Sequence, residues 1–312
     1  MPPALPTLTE LTSGGKRVLA RALAAIETDA GSQALAALLD AACAAARAHV
    51  LGLTGPPGVG KSTLASALVT RARARGETIG VIAVDPSSRR TGGALLGDRA
   101  RIATDPNDTG VFIRSMAARD RLGGLSNETI AAMVLMRAIY DRVLIESVGI
   151  GQSEADISFA ADTVVLCVQP GSGDSLQFMK AGVMELPEVI AVTKADMGAA
   201  ALRARSDVEG ALSLASEHGW RAPVVAVAAT RTEGLDDLEA AISRHREFLG
   251  EHDRLAQRRD AQERSWIEET IRARFGTDGL AAARRLALPA TGAFTKELLI
   301  AGDLSRRLGA PA

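Results

Sequence analysis

The chain is poor in the residues that build disulfide frameworks and metal clusters. It has two cysteines, Cys43 and Cys167, far apart and each in apolar surroundings. A disulfide scaffold is excluded, and a reducing, cytoplasmic setting is expected. The four histidines, His49, His218, His245 and His252, form no ligand cluster with a cysteine. Aromatics are only 3% of the 312 residues, so the core must be built from Ala, Val, Leu and Ile, which a hydrophobic content of 47% allows. A net charge of −1 gives no attraction to nucleic acid or to an anionic membrane surface. No apolar run reaches the length of a membrane span, and the first residues lack the apolar core of a secretion signal. The length suits one large α/β domain with helical additions.

What the chain does have is Gly55-Pro56-Pro57-Gly58-Val59-Gly60-Lys61-Ser62-Thr63. This matches G-x-x-x-x-G-K-[ST], the phosphate-binding loop of nucleoside triphosphatases. An apolar run, Val50-Leu51-Gly52-Leu53, precedes it and reads as a buried parallel strand. Leu64, Ala67, Leu68 and Arg71 follow at helical spacing. Glycines let several N–H groups point into one concavity, and the helix adds its positive end. Lys61 suits the β- and γ-phosphates, and the Ser62 hydroxyl suits Mg²⁺.

Two helices are predicted before the loop, over 8–29 and 32–47. Beyond the loop, residues 78–84 read as a strand ending in Asp85-Pro86-Ser87-Ser88, with Gly92-Gly93 and Leu96-Gly97-Asp98 after it. A carboxylate at the C-terminal end of such a strand lies where doubly wound sheets bind ligands. Asp85 and Asp98 are therefore candidates for a Mg²⁺ shell or for orienting water. The plainer alternatives are a turn begun by Asp85 and a helix cap at Asp98. Residues 111–115 read as a strand, 127–139 as a helix and 141–146 as a strand ending in Glu146-Ser147-Val148-Gly149. An acid there can act on Mg²⁺, and a glycine amide three residues on can reach a γ-phosphate. Gln152 and Glu154 come where a water-positioning side chain fits.

Residues 162–168 form a fifth predicted strand, and 169–180 are polar and glycine-rich. Residues 189–193 are a sixth and run into Thr193-Lys194-Ala195-Asp196. Asp196 can accept N1–H and N2–H of guanine, and Lys194 can cover the base with its aliphatic stem. A helix over 200–218 precedes the last strand, 224–227, which ends at Ala228-Ala229-Thr230. A backbone N–H of that tripeptide suits guanine O6. Strands and helices alternate through the helix at 234–249, which implies a mostly parallel sheet covered on both faces. The charge-rich stretch 251–275 reads as a long helix projecting from the core, and 276–312 as helical. Trp266 either anchors a subunit interface or packs back on the core.

Taken in order, these stretches resemble the MeaB/ArgK/MMAA-type P-loop GTPases over nearly the whole chain. The most specific are Val84-Asp85-Pro86-Ser87-Ser88, Phe112-Ile113-Arg114-Ser115, Gly123-Gly124-Leu125, the run from Glu146 to Glu154, and Pro170-Gly171-Ser172-Gly173-Asp174-Ser175-Leu176-Gln177 with Lys180. The resemblance implies an α/β P-loop fold with N-terminal helices (1–48), a GTPase domain (49–249) and a C-terminal helical dimerisation arm (250–312). It implies GTP as substrate, GDP as product and Mg²⁺ as cofactor, with Ser62, Asp85, Asp98 and Glu146 around the metal. Lys61, Asp98, Glu146 and Gln152 would serve hydrolysis, and Gly149, Thr193, Lys194, Asp196, Ala228, Ala229 and Thr230 would join the loop in binding nucleotide. Residues 85–98 resemble switch I, 146–154 switch II, and 170–180 an additional switch toward a partner, with Asp174, Gln177 and Lys180 at its functional positions.

The partners implied are an adenosylcobalamin-dependent acyl-CoA mutase of the methylmalonyl-CoA mutase type, a cobalamin adenosyltransferase and a second copy of the chain. No Asp-x-His-x-x-Gly segment is present, so no cobalamin site is expected. Thr193 stands where the family usually has Asn, Ala228-Ala229-Thr230 where it has Ser-Ala, and Pro187-Glu188 where it often has Ala-Asp. Alternatives of other classes are a nickel-insertion GTPase, a small-molecule kinase and a switch that binds GTP without hydrolysing it. Arg89, Arg90 and Arg114 are candidates for a built-in arginine finger.

Overall fold

A computed structural model describes residues 5–85, 102, 105, 107–117, 125–147, 156–171, 186–212 and 219–308. Its strands are β1 (His49–Thr54), β2 (Ile79–Asp85), β3 (Val111–Ala117), β4 (Arg142–Glu146), β5 (Thr163–Val168), β6 (Val189–Thr193) and β7 (Val224–Val227). They form one sheet in the order β3-β2-β4-β1-β5-β6-β7. Every neighbouring pair is parallel. All seven C-terminal ends therefore lie along one edge. At β1 the chain has turned to both sides, which makes the gap beyond its end the switch point of the sheet.

Strand sequence explains strand burial. β5 and β6 are buried at every position, as expected for parallel strands covered on both faces. Side chains alternate between the faces. Val165, Cys167, Val189 and Ala191 share a core with Leu64, Leu68, Leu238 and Ile242. Those four residues belong to α4 (Lys61–Ala74) and α7 (Leu235–Gly250). Leu166, Val168, Ile190 and Val192 pack with Val208 of α6 (Ala199–Leu212). Each fully buried Val, Leu or Ile side chain here contributes about 1.5–3 kcal/mol.

The chain divides into two compact units. The sheet lies in the unit formed by His49–Ser126 and Tyr140–Leu255. The other unit comprises Met1–Ala48, Asn127–Ile139 and Ala256–Ala312. It contains α1 (Leu8–Ser13), α2 (Gly15–Thr28), α3 (Gln33–Ala44), α5 (Asn127–Ile139), most of α8 (Arg254–Ala283) and α9 (Ala293–Arg307). The single helix predicted over 8–29 is two helices, because Gly14 caps the first and the next begins at Gly15 with φ 67°. Thr7 and Glu10 form a capping box at the start.

Helix α8 is interrupted at Gly276, where φ is 73° and ψ −173°. The long stretch expected to project from the core instead packs within this helical unit. Trp266 is buried, its ring 4.6 Å from that of Phe294. Its indole N–H donates to Asn127 Oδ1 at 3.1 Å. The subunit-anchor reading of Trp266 is thereby corrected: the residue serves packing inside its own chain. The N-terminus of α9 is held by Asp40, which accepts from Phe294 N and Thr295 N at 2.9 and 3.1 Å. No helix among the described residues is long and apolar enough to cross a membrane.

Candidate nucleotide site

The loop 55–60 leaves β1 at the switch point and ends in α4, whose first residue is Lys61. Gly55 has φ 133°, and a Cβ there would sit 2.2 Å from the Cys167 carbonyl oxygen. The loop can hug the end of β5 only with glycine at this place. Gly60 caps α4 in a left-handed conformation with φ 100°, turning the first helical N–H groups toward the loop's concavity. Val59 is fully buried and pins the loop to the core, whereas Pro57 and Gly58 are exposed. Lys61 is buried, and its ammonium donates to Gly55 O at 2.7 Å and Pro56 O at 3.0 Å. The fixed charge is thus at the centre of the loop.

Glu146 ends β4, with Leu53 of β1 and Ala83 of β2 beside it in register. Its carboxylate Oε1 accepts from the Ser62 hydroxyl at 2.6 Å. Two hard oxygen donors from separate elements therefore meet at the mouth of the loop. Mg²⁺ takes one or two protein oxygens and completes its shell with phosphate and water, so this donor set fits that ion. Among the described residues, no three His, Cys, Asp or Glu side chains converge on a common point. Next to the acid, Ser147 N donates to Leu53 O at 2.9 Å, and its hydroxyl donates to Thr54 Oγ1 at 3.0 Å. These bonds fasten the chain leaving β4 to the strand that carries the loop. The Cys167 thiol lies behind the site, where burial pushes its pKa up to about 12.

The third group follows β6. Thr193 is buried, and its hydroxyl lies 2.7 Å from Val59 O and 3.0 Å from Val168 O. Lys194 adopts a left-handed backbone with φ 54°. Its ammonium donates to Gly58 O at 3.1 Å and to the Gln169 carboxamide oxygen. Asp196 lies in a short 3₁₀ turn, Ala195–Met197, with its carboxylate partly open to solvent and 3.9 Å from the Arg231 guanidinium. Beyond β7, Ala228 N donates to Glu233 O at 3.0 Å. A backbone donation to a base at this tripeptide then falls to Ala229 or Thr230. Gly234 closes that turn, since a Cβ there would sit 2.0 Å from Ala226 O.

Parallel topology thus brings Lys61, Ser62, Glu146, Thr193, Lys194, Asp196, Ala228, Ala229 and Thr230 to one edge of the sheet. Asp85 ends β2 on the same edge, and only its backbone is described. Asp98, Gly149, Gln152, Asp174, Gln177 and Lys180 lie outside the described residues, as do Arg89 and Arg90. Arg114 is in β3 at the outer edge of the sheet, three strands from the loop. Sequence reasoning assigned nothing to Gln169 or Arg231. A polar residue directly after the apolar run Thr163–Val168, and a cation directly after Ala228-Ala229-Thr230, were the available signals.

The family described as "Methylmalonyl Co-A mutase-associated GTPase MeaB" matches residues 19–283. A protein of Mycobacterium tuberculosis named probable GTPase is 40% identical over 279 residues, 85% of this chain and 81% of the relative. GTPase ArgK of Escherichia coli is 34% identical over 271 residues, 84% of this chain and 82% of that one. The mouse mitochondrial methylmalonic aciduria type A homolog is 34% identical over 236 residues, covering 73% of this chain and 57% of its own length. Among solved structures, an LAO/AO transport system kinase aligns with a TM-score of 0.68 at 27% identity, over 97% of this chain and 96% of that one. HypB from Helicobacter pylori in complex with nickel aligns at 0.50 and 18% identity, over 68% of this chain and 94% of its own, a likeness of fold alone.

Proposed function

The chain belongs to the family of methylmalonyl-CoA mutase-associated GTPases, and from that premise we propose that it is a GTP-hydrolysing chaperone of an adenosylcobalamin-dependent acyl-CoA mutase, gating cofactor loading and protecting or reactivating the mutase. Its GTPase activity is the family's; the mutase, the gating and the residue roles are the proposal. The observation that supports it most is the 2.6 Å bond between Ser62 and Glu146 at the mouth of a complete phosphate loop.

The roles proposed for the residues follow the family resemblance and, for the described ones, their place along the sheet's edge. The N–H groups at the start of α4 and the Lys61 ammonium neutralise charge that grows on the phosphates, which is where such sites gain most. Ser62 and Glu146, with Asp85 and Asp98 as further candidates, would hold Mg²⁺, which would supply positive charge against the phosphates. Gly149 would donate to the γ-phosphate and Gln152 would position water. Thr193, Lys194 and Asp196 would read the guanine from below and beside it, with Ala229 or Thr230 donating to O6. Attack by water on the γ-phosphorus breaks its bond to the β–γ bridging oxygen and leaves GDP and phosphate.

The proposed organisation is an N-terminal helical segment (1–48), a GTPase domain (49–249) and a C-terminal arm (250–312) through which two copies pair. Asp174, Gln177 and Lys180 would signal nucleotide state to the mutase. A cobalamin adenosyltransferase would supply the cofactor, and the chain itself would hold no cobalamin. The test is cofactor loading of a methylmalonyl-CoA mutase mixed with the purified chain. Loading should proceed with GTP and stall with a non-hydrolysable GTP analogue. Identical loading with GTP, with the analogue and with no chain present would refute the gating role.

A further inference from the structure

The Lys194 side chain is exposed, yet its ammonium is fixed at two points. One acceptor is Gly58 O of the phosphate loop; the other is the Gln169 carboxamide at the end of β5. We propose that Gln169 is a positioning residue for guanine binding: its carboxamide oxygen holds the Lys194 ammonium so that the aliphatic stem is preset as the cover of the base. This rests on the reading of Lys194 and Asp196 as the base site.

The backbone supports this direction. Lys194 has φ 54° and ψ 42°, a region that a side-chain-bearing residue enters only when its surroundings hold it there. From that backbone the side chain reaches Gly58 O and the Gln169 carboxamide. A long lysine stem has many rotamers, and fixing one of them before the ligand arrives lowers the entropy lost on binding. Gly58 O alone is one hydrogen bond from an exposed part of the loop. The Gln169 oxygen adds a second acceptor just beyond β5, and two anchors define a line where one permits a cone.

Thr193 supplies the reason that a second tie is needed. Its hydroxyl faces Val59 O at 2.7 Å and Val168 O at 3.0 Å. A hydroxyl has one proton, so it ties β6 to the phosphate loop or to β5 at any instant and not to both. A carboxamide at this place, as in the Asn common in the family, has two. The ammonium of the next residue has three donors and reaches the same two elements, through Gly58 and Gln169. The cross-tie that one side chain cannot complete is completed by its neighbour, and Gln169 is the half of it that sequence patterns do not mark.

The experiment is stopped-flow release of a fluorescent GDP from the full chain, with inorganic pyrophosphate as a competitor that occupies the phosphate loop alone. Gln169→Leu keeps the bulk and removes the acceptor; release should quicken by about three- to tenfold, within the net range of one ordinary hydrogen bond, as befits a pair exposed to solvent. Pyrophosphate affinity should not move. Gln169→Glu keeps an acceptor and adds charge assistance, so release should return to within about twofold of the unmodified chain. In a Lys194→Ala background, Gln169→Leu should add nothing. If Lys194→Ala quickens release but Gln169→Leu does not, the proposal is wrong and the base site stands. If Lys194→Ala itself leaves release unchanged, the base-site reading fails and the proposal falls with it. Gln169→Leu weakening pyrophosphate as much as GDP, or Gln169→Glu being as damaging as Gln169→Leu, makes Gln169 merely structural and overturns the proposal.

Discussion

The Thr193 hydroxyl, at the end of β6, lies 2.7 Å from the carbonyl oxygen of Val59 in the phosphate loop. The two residues are 134 positions apart in the chain, and both are buried. The hydroxyl is a donor toward the loop. Thr193→Val is nearly isosteric and removes this hydroxyl, taking away the one hydrogen bond it donates. That costs about 1–3 kcal/mol of stability, and with the turn after β6 no longer tied to the phosphate loop, GDP should also bind more weakly by calorimetry. Thr193→Ser should bind close to the parent, and equal affinities for the Val and Ser variants would count against the tie.

Glu146→Gln keeps the shape of the side chain and its reach to Ser62 but removes the charge. GTP turnover should fall by about 10²–10³, the range for losing one preorganised electrostatic partner. The Mg²⁺ concentration giving half-maximal turnover should rise. Phosphate release measured across a magnesium titration checks both, and an unchanged half-maximal concentration would remove Glu146 from the metal.

Burial pushes the Cys43 and Cys167 thiols from an ordinary 9.0 up to about 12. A pKa raised by folding favours the native state below the ordinary thiol range, and that contribution is lost as pH climbs from about 9 toward 12. At pH 8 both thiols are protonated in the folded chain and poor nucleophiles. Ellman's reagent should therefore react slowly with native protein and quickly with two thiols after denaturation. A fast native thiol would contradict the burial argument.

Trp266→Ala should cost about 3–5 kcal/mol in urea unfolding of the helical unit, the usual range for truncating a buried aromatic. The indole packs at a tilt against Phe294 and donates to Asn127 in its own chain. Light scattering on the folded variant should give the same mass as the parent. A variant that dissociates without losing stability would return Trp266 to a subunit interface.

The fold was largely legible because the sheet is parallel and buried. Continuous apolar runs such as Val189–Thr193, each followed by a polar turn, mark strand ends, and parallel pairing places all those ends on one edge. Lys61, Glu146, Thr193 and Asp196 could thus be read from motifs at strand ends, and the parallel sheet carries those ends to one edge. Gln169 and Arg231 could not, because each acts through a residue brought near only by the sheet: Lys194 is 25 positions from Gln169. Trp266 was undecided for a similar reason. Its partners, Asn127 and Phe294, come from the middle and the far end of the chain, and helical periodicity gives no sign of which surface covers a tryptophan. The break in α8 at Gly276 depends on a positive φ that composition permits but does not demand.

The most direct measurement is GTP turnover by the purified chain with and without a methylmalonyl-CoA mutase, beside Lys61→Ala. The parent should hydrolyse GTP slowly alone and faster with the mutase, since a partner can order switch segments. Lys61→Ala should show no stimulation. Equal rates with and without each adenosylcobalamin-dependent mutase of the source cell would contradict the proposed coupling, whatever the basal rate.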